Sequence, residues 1–331
     1  MKLAVLGAGA IGAFVGAAVA RGGANVTLIA RGEHLRAMQR DGVQVLSPRG
    51  DFVAHLHATA DIGAIAAADA VLIGLKAYSL PELAPQIRAA LKPGVPLIAA
   101  QNGIPWWYFH REGGPLDGRT VQSVDPGGVV SAALPPDDAV GCVVYCATEI
   151  IGPGVIRHIE GTRISIGEPS GVASERCEQI SAALTAGGLK CPIDHQHLRD
   201  QIWLKLIGNA AFNPMSLLTR ATLAELGELA VMRAALRSLL EEVAAVAAAL
   251  GIALPVTIDQ RLAAGFAVGS HKTSMLQDFE AGKPLEIDCL TGAVLEIASV
   301  LNVPTPTLTA VDAATRVAAS VQQRRRTATS G

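Results

Sequence analysis

Residues 2–31, KLAVLGAGAIGAFVGAAVARGGANVTLIAR, read as strand, glycine turn, helix and second strand in one unbroken βαβ unit. Lys2 to Leu6 is a short apolar run suited to a buried parallel strand. Gly7, Gly9 and Gly12 then meet the G-x-G-x-x-G spacing of a dinucleotide-binding turn. Gly7 permits the tight turn. Gly9 removes a Cβ where the backbone must approach a pyrophosphate, and Gly12 lets the helix lie close on the strand. The N–H groups opening that helix, on Ala10, Ile11 and Gly12, would face the phosphates, with the helix dipole adding to the attraction. The pattern is weak alone and strong here, between an N-terminal strand and a second strand at Val26–Ala30.

The uncharged run from Leu3 to Ala20 could also be read as a signal peptide or a membrane helix. Against that, the run flows into the next strand, and Gly7, Gly9, Gly12 and Gly16 suit a plain apolar helix poorly.

The end of the second strand bears on which nicotinamide cofactor is preferred. An acidic residue there binds the ribose 2′-OH of NAD, whereas a cation suits the 2′-phosphate of NADP. The position holds Arg31, whose guanidinium matches a phosphate in charge and in paired donors. Glu33 is near enough to compete for a ribose, but it more naturally opens a helix at Glu33–Arg40, where a carboxylate suits the dipole. NADPH/NADP+ is the expected cofactor.

A chain of 331 residues suggests two domains with sizeable cores. Half the residues are hydrophobic and the formal net charge is −2, which gives no reason to expect nucleic acid or an anionic membrane as partner. The basic triplet Arg324–Arg326 within QQRRRTATSG reads as a frayed, solvated end. The five cysteines include no CxxC pair, so reduced, buried thiols in a cytoplasmic chain are expected. Cys142 and Cys146 with His158 could be imagined as metal ligands. On the strand expected at VGCVVYCAT, however, they lie too far apart for one tetrahedral ion, so no metal is expected.

Beyond the first unit, Val43–Leu46 and Asp51–Ala58 look like a hairpin around SPRG. Ala70–Leu75 is the next buried strand and delivers Lys76 to its carboxyl end, the ligand edge of an open α/β sheet. Lys76 is a candidate contact there, against the reading of a solvated lysine. After the helix Leu80–Leu91, the strand Val95–Ala100 ends in Gln101, Asn102 and Gly103. Asn102 could hold the nicotinamide ribose or substrate, or simply form an Asn-Gly turn. Trp106, Trp107, Tyr108 and Phe109 then supply four of the chain's twelve aromatic residues. They suit either the wall of an apolar pocket or an interface. Val140–Glu149, Gly154–Glu160, Arg163–Gly167 and Lys190–Asp194 read as strands, and Ser174–Ala186 as a helix.

From Leu198 the pattern changes to long helices at Leu198–Asn213, Leu223–Leu250, Val256–Ala267 and Leu285–Leu301. The expected architecture is therefore an α/β Rossmann-type N-terminal domain, residues 1–194, followed by an all-α domain, residues 195–331. The helix at Leu223–Leu250 carries Arg233, Arg237, Glu241 and Glu242, so it is amphipathic rather than membrane-spanning.

Within DQIWLKLIGNAAFNP, Lys205, Asn209 and Asn213 recur every fourth residue and share one helical stripe, drifting about 40° per step. Their neighbours are apolar, so this polar row needs partners: either a neighbouring helix or a ligand. A buried ammonium costs several kcal/mol unless compensated, which favours a functional site. TSMLQDFEAGKPLEID offers compensation. Ser274 could bond a substrate carboxylate or hydroxyl, and Glu286 could pair with Lys205. Asp278, Glu280 and Asp288 compete with Glu286, and all could equally be dipole-favouring acids at a helix start.

GAGAIG, Arg31, LKAY, QNG, WLKLIGNAAFNP and SMLQDFEAGKPLEID, in this order over nearly the whole chain, resemble the ketopantoate reductase (2-dehydropantoate 2-reductase) family. The last two motifs are the specific ones. The resemblance implies a Rossmann domain with a helical domain that binds substrate and dimerises. It also implies NADPH-dependent reduction of a 2-oxo acid to its 2-hydroxy acid, for ketopantoate the (R)-pantoate of pantothenate biosynthesis. By motif match, Lys205 is the catalytic lysine and Glu286 its support, while Asn102, Asn209, Asn213 and Ser274 contact substrate or cofactor. The chemistry is consistent, because a lysine ammonium can stabilise and protonate the oxygen that gains charge on hydride delivery. One departure is GIPWWYFHREGGPLDGRT after Asn102, bulkier than the family pattern, which leaves room for a larger or more apolar 2-oxo acid. An opine or 3-hydroxy acid dehydrogenase and a non-catalytic NADP sensor are the alternative classes. The apolar composition is compatible with a homodimer.

Overall fold

The computed structural model describes residues 1–329. The chain forms two compact units. The first holds residues 1–101, 105–120 and 125–198; the second holds 102–104, 121–124 and the chain from Arg199 onward.

The first unit contains β1 (Lys2–Leu6), α1 (Ala10–Arg21), β2 (Asn25–Ile29), α2 (Gly32–Asp41), β3 (Val43–Leu46), β4 (Phe52–Ala54), β5 (His57–Thr59), β6 (Ala70–Ile73), α3 (Leu80–Ala90) and β7 (Leu97–Ala99). It continues with α4 (Val129–Ala133), β8 (Ala139–Val144), β9 (Ala147–Gly152), β10 (Val155–Glu160), β11 (Ile164–Gly167) and α5 (Glu175–Ala186). Its main sheet has the order β11-β8-β7-β6-β1-β2-β5. All pairings are parallel except β11 against β8. The order reverses at β1, which creates a crevice beyond its carboxyl end, where ligands of doubly wound sheets bind.

A second sheet, β4-β3-β10-β9, packs on the opposite side of α1. This explains the apolar run that mimics a membrane segment. Gly12 to Val19 are all buried because α1 lies between two sheets, so it has no face to give to water. Among the described residues no helix is long and apolar enough to cross a membrane.

Several strands differ from the sequence expectation. The run at Asp51–Ala58 divides: β4 forms the hairpin with β3, whereas β5 joins the main sheet beside β2. The run at Val140–Glu149 breaks at Tyr145 and Cys146, and its halves belong to different sheets. Lys190–Asp194 makes only isolated bridges, Arg163 to Lys190 and Ile166 to Ile193. Pro192 cannot donate to a ladder, which fits this interruption.

The helical unit contains α6 (Leu198–Thr219), α7 (Leu223–Leu226), α8 (Ala230–Ala249), α9 (Ile258–Ala267), α10 (Ser274–Glu280), a π-helical turn (Asp288–Gly292), α11 (Ala293–Leu301) and α12 (Pro306–Thr329). The single helix expected at Leu223–Leu250 is two. A Thr222/Glu225 capping box starts the short α7, and the chain turns at Gly227, where a Cβ would fall 2.9 Å from the Phe266 ring. The helix expected at Leu285–Leu301 begins instead as the π turn. Arg324–Arg326 lie inside α12 rather than in a frayed tail, since the run is rich in helix-forming Gln, Arg and Ala. Ser330 and Gly331 lie outside the described residues.

Candidate active site

At the β1 crevice, the glycine turn meets three separate constraints. Gly7 adopts φ +95°, and a Cβ there would lie 2.7 Å from Leu75 N. A Cβ on Gly12 would lie 2.3 Å from the Gly7 carbonyl oxygen, so α1 reaches its seat only without one. A Cβ on Gly9 would meet nothing within 4 Å. The fold itself therefore does not require Gly9 to be bare. The close approach of a ligand would require it, so the turn fits a dinucleotide pyrophosphate.

This turn opens on a cavity of about 370 Å³ whose lining includes Gly7, Gly9, Arg31, His34, Leu75 and Lys76. Arg31 is the exposed N-cap residue of α2 and offers its guanidinium at the rim. Glu33 does not line the cavity; it occupies the first turn of α2, exposed, 3.9 Å from Arg36. The arrangement offers a cation rather than a carboxylate to an adenosine ribose, which suits a 2′-phosphate. Lys76 is half-buried and precedes a short helical turn at Ala77–Ser79.

Sequence reading overlooked His34, one helical turn beyond Arg31. Its Nδ1 accepts the Gly154 N–H at 3.0 Å, so in the neutral ring the proton sits on Nε2. Nε2 is buried and, among the described residues, meets no acceptor in full hydrogen-bonding geometry. Burial pushes the His34 pKa down, with the Ala8 carbonyl opposing in part. The i, i+3 spacing from Arg31 on a helix start was the available signal.

The aromatic run takes the role of core packing. Trp106, Trp107, Tyr108 and Phe109 are all at most 4% exposed. Trp106 Nε1 donates to the Leu134 carbonyl at 3.0 Å, and Gly141 leaves space for the Trp107 ring, which a Cβ would meet at 2.7 Å. These contacts lie inside the α/β unit, so the run is a structural element of that unit.

The helical unit gathers the remaining candidates. On α6, Lys205 and Asn209 are half-buried and Asn213 is buried, at 6% exposure, amid buried Trp203, Leu206, Ile207, Ala210 and Ala211. Gly208 interrupts this bulk. A Cβ there would fall 1.7 Å from Arg261 Nη2, so the guanidinium of α9 rests against the helix three residues from Lys205. Arg261 was not singled out from the sequence; the bare Gly208 within a bulky helix was its only trace.

Partners distinguish the competing carboxylates. Asp288 is taken by Arg316 Nη1 at 2.7 Å and Glu280 by Lys272 Nζ at 2.8 Å. Asp278 is half-buried, whereas Glu286 is only 8% exposed. Glu286 is therefore the buried carboxylate of the segment. Ser274 is exposed and opens α10, behind the Thr273 cap.

Asn102 belongs to this unit too, through the turn that follows it. Gly103 has φ +83°, and the Ile104 N–H donates to the Cys289 carbonyl at 2.9 Å. The Glu296 carboxylate takes the Gln122 and Ser123 N–H groups, both at 2.7 Å. Cys289 lies in the π turn, an irregularity frequent at functional sites.

All five cysteines are thiols outside any disulfide, and burial pushes Cys177 and Cys191 up to about 11, which makes those two inert. Among the described residues no group of His, Cys, Asp and Glu is arranged to hold a metal.

Two family models match the chain: ketopantoate reductase PanE/ApbA over residues 3–109, and its C-terminal counterpart over residues 197–318. A 2-dehydropantoate 2-reductase of Mesorhizobium japonicum is 42% identical over 317 residues, covering 96% of this chain and 97% of that protein. A crystal structure from Ralstonia solanacearum, assigned as a ketopantoate reductase, superposes with a TM-score of 0.90 at 36% identity, covering 97% of this chain and 98% of the other. A PanE/ApbA family ketopantoate reductase from Ralstonia eutropha gives a TM-score of 0.84 at 28% identity, covering 98% of this chain and all of the other. The glycine turn, the polar row on α6 and the buried Glu286 thus sit in a chain that belongs to the ketopantoate reductase family.

Proposed function

We propose that this protein is an oxidoreductase that reduces 2-dehydropantoate to (R)-pantoate with NADPH, in pantothenate biosynthesis. The observation that carries this reading is the match, over nearly the whole of both chains, to a protein named 2-dehydropantoate 2-reductase. When bound, NADPH supplies the hydride. The α/β unit binds it: Gly7, Gly9, Ala10, Ile11 and Gly12 present the pyrophosphate with a bare turn and helix N–H groups. Arg31 pairs with the 2′-phosphate, and Lys76 contributes positive charge at the strand end.

The helical unit handles the substrate and the proton. Lys205 holds an ammonium proton toward the ketone oxygen, stabilises the charge that grows there, and releases the proton to it. The Glu286 carboxylate supports that lysine. Asn209, Asn213 and Ser274 bind the substrate's hydroxyl and carboxylate oxygens, and Asn102 fixes the reacting groups from its turn. With the aromatic run committed to core packing, there is no observation favouring a bulkier substrate. The protein works as a cytoplasmic homodimer, a reading supported by the exposed Leu229 and Val231 on the helical unit and testable by sedimentation.

The experiment is NADPH oxidation across a panel of 2-oxo acids including ketopantoate, run beside Lys205→Ala. Ketopantoate should lead the panel, and the variant should lose about 10²–10⁴-fold in kcat/KM. Turnover that survives Lys205→Ala intact would remove the proposed acid. Lysine-dependent turnover of a different 2-oxo acid would reassign the substrate and keep the mechanism.

A further inference from the structure

A π turn carries one residue more than the α-helix it joins, and such turns persist where the extra residue is put to use. In the turn at Asp288–Gly292, the Gly292 N–H reaches back five residues to the Ile287 carbonyl at 3.1 Å, and the Ala293 N–H does the same to the Asp288 carbonyl. In an α-helical register Ala293 would instead take the Cys289 carbonyl. Passed over in this way, the Cys289 carbonyl accepts the Ile104 N–H at 2.9 Å, two residues beyond Asn102. The π register therefore supplies the acceptor on which the Asn102 turn rests.

The π register is rare because α-helical bonding competes with it, so the turn needs holding from outside. α12 holds it at both ends. Arg316 Nη1 donates to Asp288 Oδ1 at 2.7 Å, at the start of the turn. Near its end, the Thr291 hydroxyl donates to Asp312 Oδ1 at 2.5 Å. Arg316 Nε closes the set on Asp312 Oδ2 at 2.7 Å, and Gly292 leaves room for the guanidinium, since a Cβ there would lie 2.9 Å from Arg316 Nη2. Thr291 and Asp312 are both buried, so their bond is shielded from competing water. Sliding the turn into the α register would rotate Asp288 and Thr291 out of phase with one another and break one of the two attachments. We infer that Asp312 is a positioning residue for the substrate site: through Thr291 and Arg316 it holds the π register, and that register holds Asn102 through the Cys289 carbonyl and Ile104.

This inference rests on the role proposed for Asn102, and the test separates the two. Asp312→Asn removes the charge that gathers Thr291 and Arg316. Thr291→Val removes only the hydroxyl and leaves the Asp312–Arg316 pair, so it carries the test where Asp312→Asn folds poorly. In full-length protein isotope-labelled at isoleucine nitrogen, NMR should show the Ile104 amide exchanging about tenfold or more faster in both variants, as a locally loosened turn requires. Ketopantoate reduction should lose about 10–100-fold in kcat through misplacement of the reacting groups, and Thr291→Ser, which keeps the hydroxyl, should recover most of that loss. On an Asn102→Ala background the same substitutions should cost less than about twofold further, because the group they position is gone. A merely structural role would give losses that add in full to that of Asn102→Ala. Such additivity, or Ile104 exchange at the wild-type rate in both variants, would overturn the inference. No turnover of ketopantoate by the wild type would instead overturn the function proposed above, and the Ile104 exchange rates would still decide whether Asp312 holds the turn.

Discussion

Gly103 and the Cys289 carbonyl fit against each other with no room for a methyl group: a Cβ on Gly103 would lie 2.1 Å from that oxygen, at a backbone φ of +83°. The contact joins the turn carrying Asn102 to the π turn that follows Glu286, so two candidate site residues are registered through backbone alone. Gly103→Ala is expected to destabilise the protein by about 2–5 kcal/mol, from left-handed strain plus overpacking. Urea unfolding measures this, and a loss within about 0.5 kcal/mol would show that the turn can shift freely.

Gly9→Ala and Gly12→Ala should fail in opposite ways. Gly12→Ala forces a methyl group onto the Gly7 carbonyl and should unfold at lower denaturant with a poorly formed turn. Gly9→Ala meets nothing in the protein and should melt as wild type while losing NADPH binding by tenfold or more, on the order of the cost of one overpacked contact. Equal thermal shifts in the two variants would contradict this division of labour.

Arg31→Ala should weaken NADPH far more than NADH. Losing a charge-assisted pair to the 2′-phosphate corresponds to about 10–100-fold in the ratio of kcat/KM values. A ratio unchanged in the variant would assign the 2′-phosphate to another group, Lys76 first.

Glu168 gives the α/β unit an acid-sensitive anchor. Burial alone would raise its pKa, but hydrogen bonds from Arg176 and Ser174 and the guanidinium charge outweigh burial and hold it below the ordinary 4.5. A carboxyl with a lowered folded-state pKa stabilises fully above its unfolded value, and that contribution is lost as pH falls through the folded value. Unfolding free energy should therefore decline as pH drops below about 4.5, and Glu168→Gln should flatten that limb while lowering stability at neutral pH. A parallel acid limb in the variant would place the sensitivity elsewhere.

The βαβ unit was legible because each constraint on it is local: Gly7, Gly9 and Gly12 act on their own turn, and Arg31 on the strand end. The strand breaks were not, since whether His57–Thr59 leaves the hairpin is decided by a free edge on β2, far away in sequence. The polar row on α6 was visible as a period of four. The choice among Asp278, Glu280, Glu286 and Asp288 was not, because it depends on Lys272 and Arg316 claiming two of them. The aromatic run showed its importance but not its direction, because the contacts with Leu134 and Gly141 that explain it come from loops and strands with no local signature.

The interleaving of residues 102–104 and 121–124 with the helical unit bears on how such a chain can be dissected or diversified. A fragment starting at Arg199 would leave the Glu296 carboxylate and the Cys289 carbonyl without the N–H groups they bind in the whole chain. Neither half is a cassette that can be cut at one junction and grafted to another partner. A recombinant that exchanges the helical half between relatives would have to carry three separate pieces of chain together, which favours change by point substitution over module shuffling.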